Sequence, residues 1–208
     1  MIDDVMRARR SVRSFLPEVP PREAIERVLE AAVTAPSASN KQPWRFFVVS
    51  NRDTIASMAR VVREAVDRIA LHVPSGTEAA FRAYGEYFTR FETAPVVIVP
   101  IFRGVAVLSH LVDVELPAHD RDQIAAMERD SGLVGASLAL ENLLLMAHDL
   151  GMGASAMTGA LVAADAIKTI LDIPAGWGIV ALVPLGYAAE SPVVTPRKPI
   201  SKVTRWIP

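Results

Sequence analysis

The run from 131 to 150, SGLVGASLALENLLLMAHDL, constrains the fold more than any other stretch of this sequence. It has the length of a helix and is apolar on almost every side of that helix. Such a helix is typical of a protein core, because a surface helix keeps a broad polar face for water. Gly151 follows, and glycine commonly ends helices because it adopts left-handed backbone angles without strain. The sequence therefore predicts a helix that is buried on most of its faces.

Two other apolar runs are too short or too broken to span a membrane. Residues 173–189 carry no charge but contain prolines and glycines, and a typical span needs about 20 apolar residues. Residues 96–111 are interrupted by Pro100 and Arg103. The N-terminus, MIDDVMRARR, begins with acidic residues and lacks the apolar core of a signal peptide. We therefore expect a cytoplasmic protein that has no membrane partner.

Composition narrows the class of function. A chain of 208 residues with 51% hydrophobic residues fits one domain, residues 1–208, around a sizeable core. The net charge of −1 disfavours nucleic-acid binding, which normally needs a basic face. The absence of cysteine excludes disulfides, thiolate catalysis and cysteine-based metal centres, and it suits a reducing compartment. The four histidines are too scattered along the chain to predict a metal site.

Helical and strand patterns interleave along the rest of the chain. Helices predicted from apolar spacing cover residues 21–33, 52–71 and 75–92. Buried strands predicted from short β-branched and aromatic runs cover residues 45–50, 95–102 and 178–187. The tail 199–208 is interpreted as a final short strand, and its Trp206 is predicted to dock on a second protomer. With few strands and no regular alternation, we expect an α+β fold.

The segment RRSVR, residues 9–13, concentrates positive charge in an otherwise nearly neutral chain. In an extended segment, successive side chains point to opposite sides, so Arg9, Ser11 and Arg13 lie on the same side. Two guanidinium groups with a hydroxyl between them are well suited to binding a phosphate. The alternative for this segment, considered on its own, is a solvated basic turn.

The loop APSASNKQPW, residues 35–44, joins a predicted helix to a predicted strand and is longer than most such connections. Two prolines fix its path, and half of its residues carry hydrogen-bonding side chains. A stiff polar loop of this kind favours recognition of a polar planar ligand. The alternative is a plain connection between helix and strand.

Two further segments carry weaker signals. In LGMGASAMTGAL, residues 150–161, glycines permit close backbone approach, and N–H groups near Thr158 and Gly159 are candidates to point into a site. In TPRKP, residues 195–199, Arg197 lies between two prolines. A helix end and a surface arginine are the plainer explanations of these segments when each is considered alone.

Taken in order, these segments resemble the FMN-dependent nitroreductase family over nearly the whole chain. The resemblance rests on RRSVRSF, AAVTAPSASNKQPWRFFVV, APVVIVP, ALENLLLMAHDLGMGASAM, PLGY and the arginine of PRKP. It implies a nitroreductase-like fold, with a small central mixed or antiparallel sheet flanked by helices and a C-terminal tail extending onto the partner subunit. It also implies a homodimer with flavin sites at the interface.

The resemblance implies a role for each segment. Arg9 and Ser11 are implied to bind the FMN phosphate, and Arg13 to lie nearer the pyrimidine edge of the flavin. The loop 36–42 is implied to reach the flavin from the other subunit, and the segment 157–159 to face its N5 and O4 atoms. The implied cofactor-binding residues are Arg9, Arg10, Ser11, Arg13, Pro36, Ser37, Ala38, Asn40, Gln42, Met157, Thr158, Gly159 and Arg197.

The C-terminal part of the resemblance contains a departure. Arg197 matches an arginine that contacts the FMN phosphate. Many relatives carry a second basic residue two positions earlier, where this chain has Thr195. Either the phosphate site is weaker than in those relatives, or Lys198 replaces the missing cation.

The implied activity is that of an NAD(P)H oxidoreductase. A reduced nicotinamide passes hydride to flavin N5 and leaves, and a nitroaromatic, quinone or similar small planar acceptor takes its place. No catalytic side chain is implied, because the flavin carries the chemistry while Arg13, Thr158 and Gly159 tune it. The choice between NADH and NADPH stays open. The alternatives are a reductive dehalogenase, a flavin-cleaving enzyme or a dehydrogenating oxidase on the same fold, and a non-catalytic flavin-binding protein.

Overall fold

The computed structural model of this protein describes residues 1–112 and 115–207. Its α-helices are α1 (Ile2–Ala8), α2 (Arg22–Val33), α3 (Arg52–Ala70), α4 (Glu78–Gly85), α5 (Ala118–Asp149) and α6 (Ala164–Ile170). Its strands are β1 (Trp44–Val49), β2 (Val96–Phe102), β3 (Gly153–Ala154), β4 (Gly178–Ile179) and β5 (Val183–Gly186). Short 3-10 helices cover Ala38–Asn40, Glu86–Thr93, Leu108–His110, Gly159–Ala163 and Ile200–Lys202. The expected α+β architecture is confirmed.

The strands form one antiparallel sheet in the order β1–β2–β5–β3, with β4 also paired to β2. Ile101 of β2 pairs with Ile179. Three residues earlier on β2, Ile98 pairs with Val183 of β5, which lies four residues after Ile179 along the chain. The extra residue makes a bulge beside Pro100, which has no N–H to donate to a regular ladder.

Helices cover both faces of the sheet. Val96 and Ile98 of β2 belong to the core that α2 and α5 build on one face. The alternate residues, Val97, Val99 and Ile101, belong to the core that α3 builds on the other. This alternation follows from the two-residue period of a strand, and it explains why β2 is apolar along almost its whole length.

The long apolar helix is present, but α5 is exposed along one face. Leu143 is fully buried against the sheet layer, whereas Met127, Val134 and Leu138 are 43%, 58% and 44% exposed. The prediction that this helix is buried on most of its faces is therefore wrong for the single chain. By length and composition alone α5 also meets the criterion for a membrane span, a property it shares with the core helices of soluble proteins.

The helix predicted over 75–92 is divided into α4 and the 3-10 helix Glu86–Thr93. Gly85 lies at the junction, where it packs directly against α3: a side chain there would come within 2.5 Å of Val66. The close approach of the two helices explains why glycine stands at this position.

The N- and C-terminal segments also differ from the prediction. α1 was not predicted, and it buries no residue that would have given an apolar pattern. The tail forms a 3-10 helix at Ile200–Lys202, and its described residues contain no strand. A strand needs a neighbouring sheet edge, and these tail residues are exposed instead. Pro208, the last residue of the predicted strand, lies outside the described residues.

Candidate functional site

The arginine segment runs in extended conformation beside β3. Ser11 forms a parallel bridge with Ala154, and the N–H of Val12 donates to the Ala154 carbonyl at 3.1 Å. Val12 is buried, whereas Ser11 and Arg13 are exposed, as alternation predicts. Gly153 permits this approach, because a side chain there would lie 2.7 Å from atoms of Val12.

Arg9 and Arg10 line a cleft of about 460 Å³ between this segment, the end of α5 and the tail. The Arg9 side chain is 18% exposed, and its Nε lies 3.6 Å from a carboxylate oxygen of Glu141. That distance is an ion pair but too long for a hydrogen bond. Arg10 donates through Nη1 to the Arg9 carbonyl at 2.8 Å. The Nε atoms of both arginines are buried without a hydrogen-bond partner among the described residues.

Ser155, directly after β3, adds a further unused polar group. Its side chain is fully buried, and its Oγ has no partner within the described part of the chain. A buried hydroxyl without a partner is uncommon, because burial costs free energy that a hydrogen bond would recover. Ser155 was not predicted as a site residue. The one available signal was its place in the glycine-rich segment that follows α5.

The loop 36–43 has a strained backbone. Ser39, Asn40 and Gln42 have φ angles of 49°, 51° and 45°, in the left-handed region that non-glycine residues seldom adopt. The Ser37 Oγ accepts the N–H of Gln42 at 2.9 Å, and the Gln42 amide donates to the Asn40 side-chain oxygen at 3.3 Å. Strained backbone of this kind is concentrated at functional sites. The exposed amides of Asn40 and Gln42 are therefore available to a ligand.

Residues 36–38 of this loop line a second cleft, of about 570 Å³, against α5. The opposite wall includes the exposed apolar residues Met127, Val134 and Leu138. Gly135 allows the loop to pack closely, since a side chain there would lie 3.4 Å from the Cβ of Ser37. The loop is thus fixed to the exposed face of α5.

The segment 157–159 lies between β3 and α6. Met157 exchanges two backbone hydrogen bonds with Leu182, at 2.9 and 3.0 Å, and its side chain is buried. Thr158 is exposed. Gly159 lies under the ring of Phe88, and a side chain at Gly159 would overlap that ring. The sheet thus uses the backbone groups of Met157, which leaves Thr158 and Gly159 as the positions open to a ligand.

Arg197 lies in a tail that is exposed over most of its length. The Ala189 N–H donates to the Ser14 carbonyl at 3.0 Å, and Pro192 and Val194 border the Arg9 cleft. Among the described residues, no hydrogen bond or ion pair joins Arg197 to another group. Its role at a phosphate therefore stays a prediction.

Both the arginine segment 9–13 and the loop 36–42 contact α5, but at different positions along it. Arg9 contacts it at Glu141, and the loop packs on it at Gly135, six residues earlier or about 9 Å along the helix axis. The structure therefore brings the arginine segment together with the residues after β3, and it leaves the loop 36–42 in a separate cleft. Glu141 was not predicted, although it is the only carboxylate between residues 131 and 148.

Glu128 holds the segment after β2 against α5. Its buried carboxylate accepts the N–H groups of Val107 and Ser109 at 2.7 and 3.0 Å. Its own carbonyl accepts the Val105 N–H at 2.9 Å. The hydrogen bonds from Ser109, opposed by burial and reinforced by Val107, lower the pKa of Glu128 to about 2. This carboxylate is therefore a structural anchor that the sequence pattern did not reveal.

Comparison with known proteins gives relatives of this chain in sequence and in fold. A family model described as "Nitroreductase family" matches residues 6–187. A protein named NADH dehydrogenase from Thermus thermophilus is 32% identical, over 95% of this chain and 92% of that one. A solved BluB-like flavoprotein from Clostridium difficile is 24% identical, with a TM-score of 0.87 over 100% of this chain and 99% of that one. A solved iodotyrosine deiodinase bound to FMN and 3-iodo-L-tyrosine is 21% identical, with a TM-score of 0.72 over 96% of both chains. The two structures show the shared fold.

Proposed function

The chain belongs to the Nitroreductase family, and from that premise we propose that it is an FMN-dependent oxidoreductase driven by NADH or NADPH. Its acceptors are nitroaromatic compounds, quinones or similar small planar molecules. One observation carries the proposal: Arg9 and Arg10, whose buried Nε atoms have no partner in the described part of the chain, line the cleft beside β3, and the equally unpartnered hydroxyl of Ser155 directly follows that strand.

The residues of this region fit an anionic flavin cofactor. Two buried guanidinium Nε atoms and a buried hydroxyl have no hydrogen-bond partner within residues 1–112 and 115–207. The carboxylate near Arg9, that of Glu141, is half exposed and does not hydrogen-bond to it. A phosphate would supply the missing acceptors, since guanidinium groups bind phosphate through charge-assisted hydrogen bonds. FMN is favoured over FAD because the chain has no glycine-rich fingerprint for an adenylate.

The phosphate end is assigned to residues from both ends of the chain. Arg9 and Ser11 come from the extended segment, and Arg197 comes from the tail. Lys198 takes the place of the cation that is missing at Thr195. The tail borders the Arg9 cleft at Pro192 and Val194, and Val194 is three residues before Arg197.

The ring end is assigned to groups that tune the cofactor. When bound, FMN supplies the redox chemistry between nicotinamide and acceptor. Arg13 is exposed and lies two residues after Ser11. It places positive charge at the pyrimidine edge of the flavin, where it stabilises the negative charge that the ring gains when it is reduced. Backbone groups of Thr158 and Gly159 orient the opposite edge. No side chain of this set has to act as a nucleophile or a general base.

We propose a cytoplasmic homodimer with the loop 36–42 of one chain completing the site of the other. The loop and the arginine segment occupy separate clefts of the same chain, so a site that uses both needs two chains. The exposed face of α5 and the tail supply apolar surface for such a contact. Six large apolar tail residues are 65% to 87% exposed: Val193, Val194, Ile200, Val203, Trp206 and Ile207. Obligate dimers typically bury more than about 2,000 Å².

The decisive experiment identifies the cofactor and its donor. Heat release followed by mass spectrometry is expected to give FMN, and anaerobic NADH or NADPH is expected to bleach the bound flavin. A panel of nitroaromatic and quinone acceptors should then restore its absorbance. Released FAD, or a flavin that neither nucleotide bleaches, would contradict the proposal.

The same experiment separates the alternative functions. The fold is shared with the solved iodotyrosine deiodinase, so halogenated aromatic substrates belong in the acceptor panel. Rapid bleaching by a nucleotide alone favours the general reductase. Oxidation that proceeds only with a halogenated compound and releases halide favours a dehalogenase. A yellow protein that reduces nothing in the panel favours a flavin-binding protein without catalysis.

A further inference from the structure

Two arginines converge on one tryptophan at an end of the sheet. The guanidinium carbons of Arg45 and Arg103 lie 4.8 and 5.5 Å from the centroid of the Trp177 ring. Both arginines are exposed. Neither has an acidic partner among the ion pairs of the described residues, although seven other arginines do. We call these three residues the basic edge.

The fold holds the basic edge in place through the backbone. Arg45 belongs to β1 and pairs with Ile101 of β2. Arg103 follows β2, and its N–H donates to the Pro43 carbonyl at 3.1 Å. Trp177 directly precedes β4, and its ring packs on the core that α3 covers. The two charges therefore sit on ordered strand ends and not on a flexible surface helix.

Two like charges that share one ring repel each other. The electron-rich face of an indole offsets part of this repulsion, and an anion placed between the guanidinium groups would remove the rest. The planar forks of arginine suit phosphate oxygens in particular, because they donate two parallel hydrogen bonds. The basic edge therefore has the charge and the donor groups of a phosphate site, and its residues differ from those of the Arg9 and Arg10 cleft.

The position of the basic edge suggests the ligand. Pro43, which accepts the Arg103 N–H, ends the loop that is proposed to reach the partner's flavin. A reduced dinucleotide that approaches this flavin carries its phosphates on the side away from the nicotinamide. We propose that Arg45 and Arg103, supported by Trp177, bind the phosphate groups of the NADH or NADPH donor. This inference rests on the proposed function.

The test measures donor affinity separately from flavin chemistry. The double variant Arg45→Gln, Arg103→Gln is loaded with FMN, and anaerobic bleaching is followed against nucleotide concentration. The dissociation constant of the donor is expected to rise about 3- to 30-fold, because the variant loses charge-assisted contacts that are exposed or only partly desolvated. The limiting rate of bleaching is expected to stay unchanged. Arg60→Gln removes the same charge from an exposed arginine that pairs with Glu64, and it should leave the constant unchanged.

A second measurement detects the anion directly. Inorganic pyrophosphate is titrated into the FMN-loaded protein, and tryptophan fluorescence is recorded. A saturable change is expected in wild type and in Arg60→Gln, and it should be lost in the double variant. Equal pyrophosphate binding in the double variant, or an unchanged donor constant, would overturn the inference. Wild-type flavin that neither nucleotide bleaches counts instead against the proposed function, and the pyrophosphate titration then still tests the anion site.

Discussion

Replacing Gly132 with alanine tests how closely α5 packs on the segment after β2. A Cβ at this position would overlap the carbonyl oxygen of Arg103 and lie 2.9 Å from its carbonyl carbon. These are backbone atoms, so they do not rotate away as the end of a flexible side chain would. Gly132→Ala is therefore expected to push α5 and the Arg103 segment apart.

Two opposing contributions set the size of this effect. Alanine is better than glycine inside a helix by about 1 kcal/mol. Overpacking costs typically about 1–3 kcal/mol, and the upper part of that range applies when backbone must move. The net loss in the free energy of unfolding is then about 1–2 kcal/mol. For a domain of this size, such a loss lowers Tm by about 2–8 °C.

Gly135→Ala, on the same helix, provides the matched control. Its new methyl group would lie 3.4 Å from its nearest neighbours, Pro43 and Ser37, which is ordinary contact. The Tm of Gly135→Ala is therefore expected to equal or exceed that of wild type. Thermal unfolding followed by circular dichroism, without and with saturating FMN, measures the Tm of both variants and of wild type. If Gly132→Ala were as stable as wild type or as Gly135→Ala, the close packing of α5 on Arg103 would be refuted.

Three shorter predictions concern charge and cofactor binding. Because its folded pKa of about 2 lies below 4.5, Glu128 stabilises the protein above pH 4.5, and this advantage disappears as pH falls toward 2. The Tm difference between wild type and Glu128→Gln should shrink over that range. Arg197→Ala should raise the FMN dissociation constant about 10- to 150-fold, whereas Arg13→Ala should change the flavin midpoint potential more than the affinity; equal affinity losses with an unchanged potential would contradict these roles. Ser155→Ala should leave the Tm of the FMN-free protein unchanged or higher, because it removes a buried hydroxyl that has no partner among the residues the structure describes.

The elements that the sequence predicted well are those with a clear period. The apolar spacing of α2 and α3 locates both helices to within a residue or two, because each buries one face against the sheet. The N-terminal part of α5, residues 118–130, was missed because it is rich in charged residues and makes few buried contacts. The sequence pattern of α5 also could not distinguish burial in the core from exposure along one face.

The sequence predicted which residue types belong to the site, but it did not predict contacts between residues that are distant along the chain. The extended arginine segment follows from alternation, and the structure shows the buried Val12 between exposed neighbours. The pairing of Arg45 and Arg103 on Trp177 could not be predicted, because it depends on which strand ends meet. For the same reason the backbone partners of Glu128 could not be predicted, since they come from a segment about 20 residues away in sequence.

A site built across two chains links cofactor binding to dimerisation. In the proposed two-chain site, the loop 36–42, with its strained backbone and exposed amides, adds to FMN affinity only where the arginine segment of a second chain faces it. FMN then binds the dimer more tightly than the monomer, and by mass action it favours the dimer. At an FMN concentration 100 times its dissociation constant from the dimer, each site contributes at most about 2.7 kcal/mol, or about a 100-fold change in the dimer dissociation constant, a limit reached when the monomer does not bind FMN. Sedimentation of the apoprotein and the FMN-loaded protein over a dilution series measures this shift. A flavin-loaded monomer at micromolar concentration, or equal dissociation constants with and without FMN, would show that one chain forms the whole site.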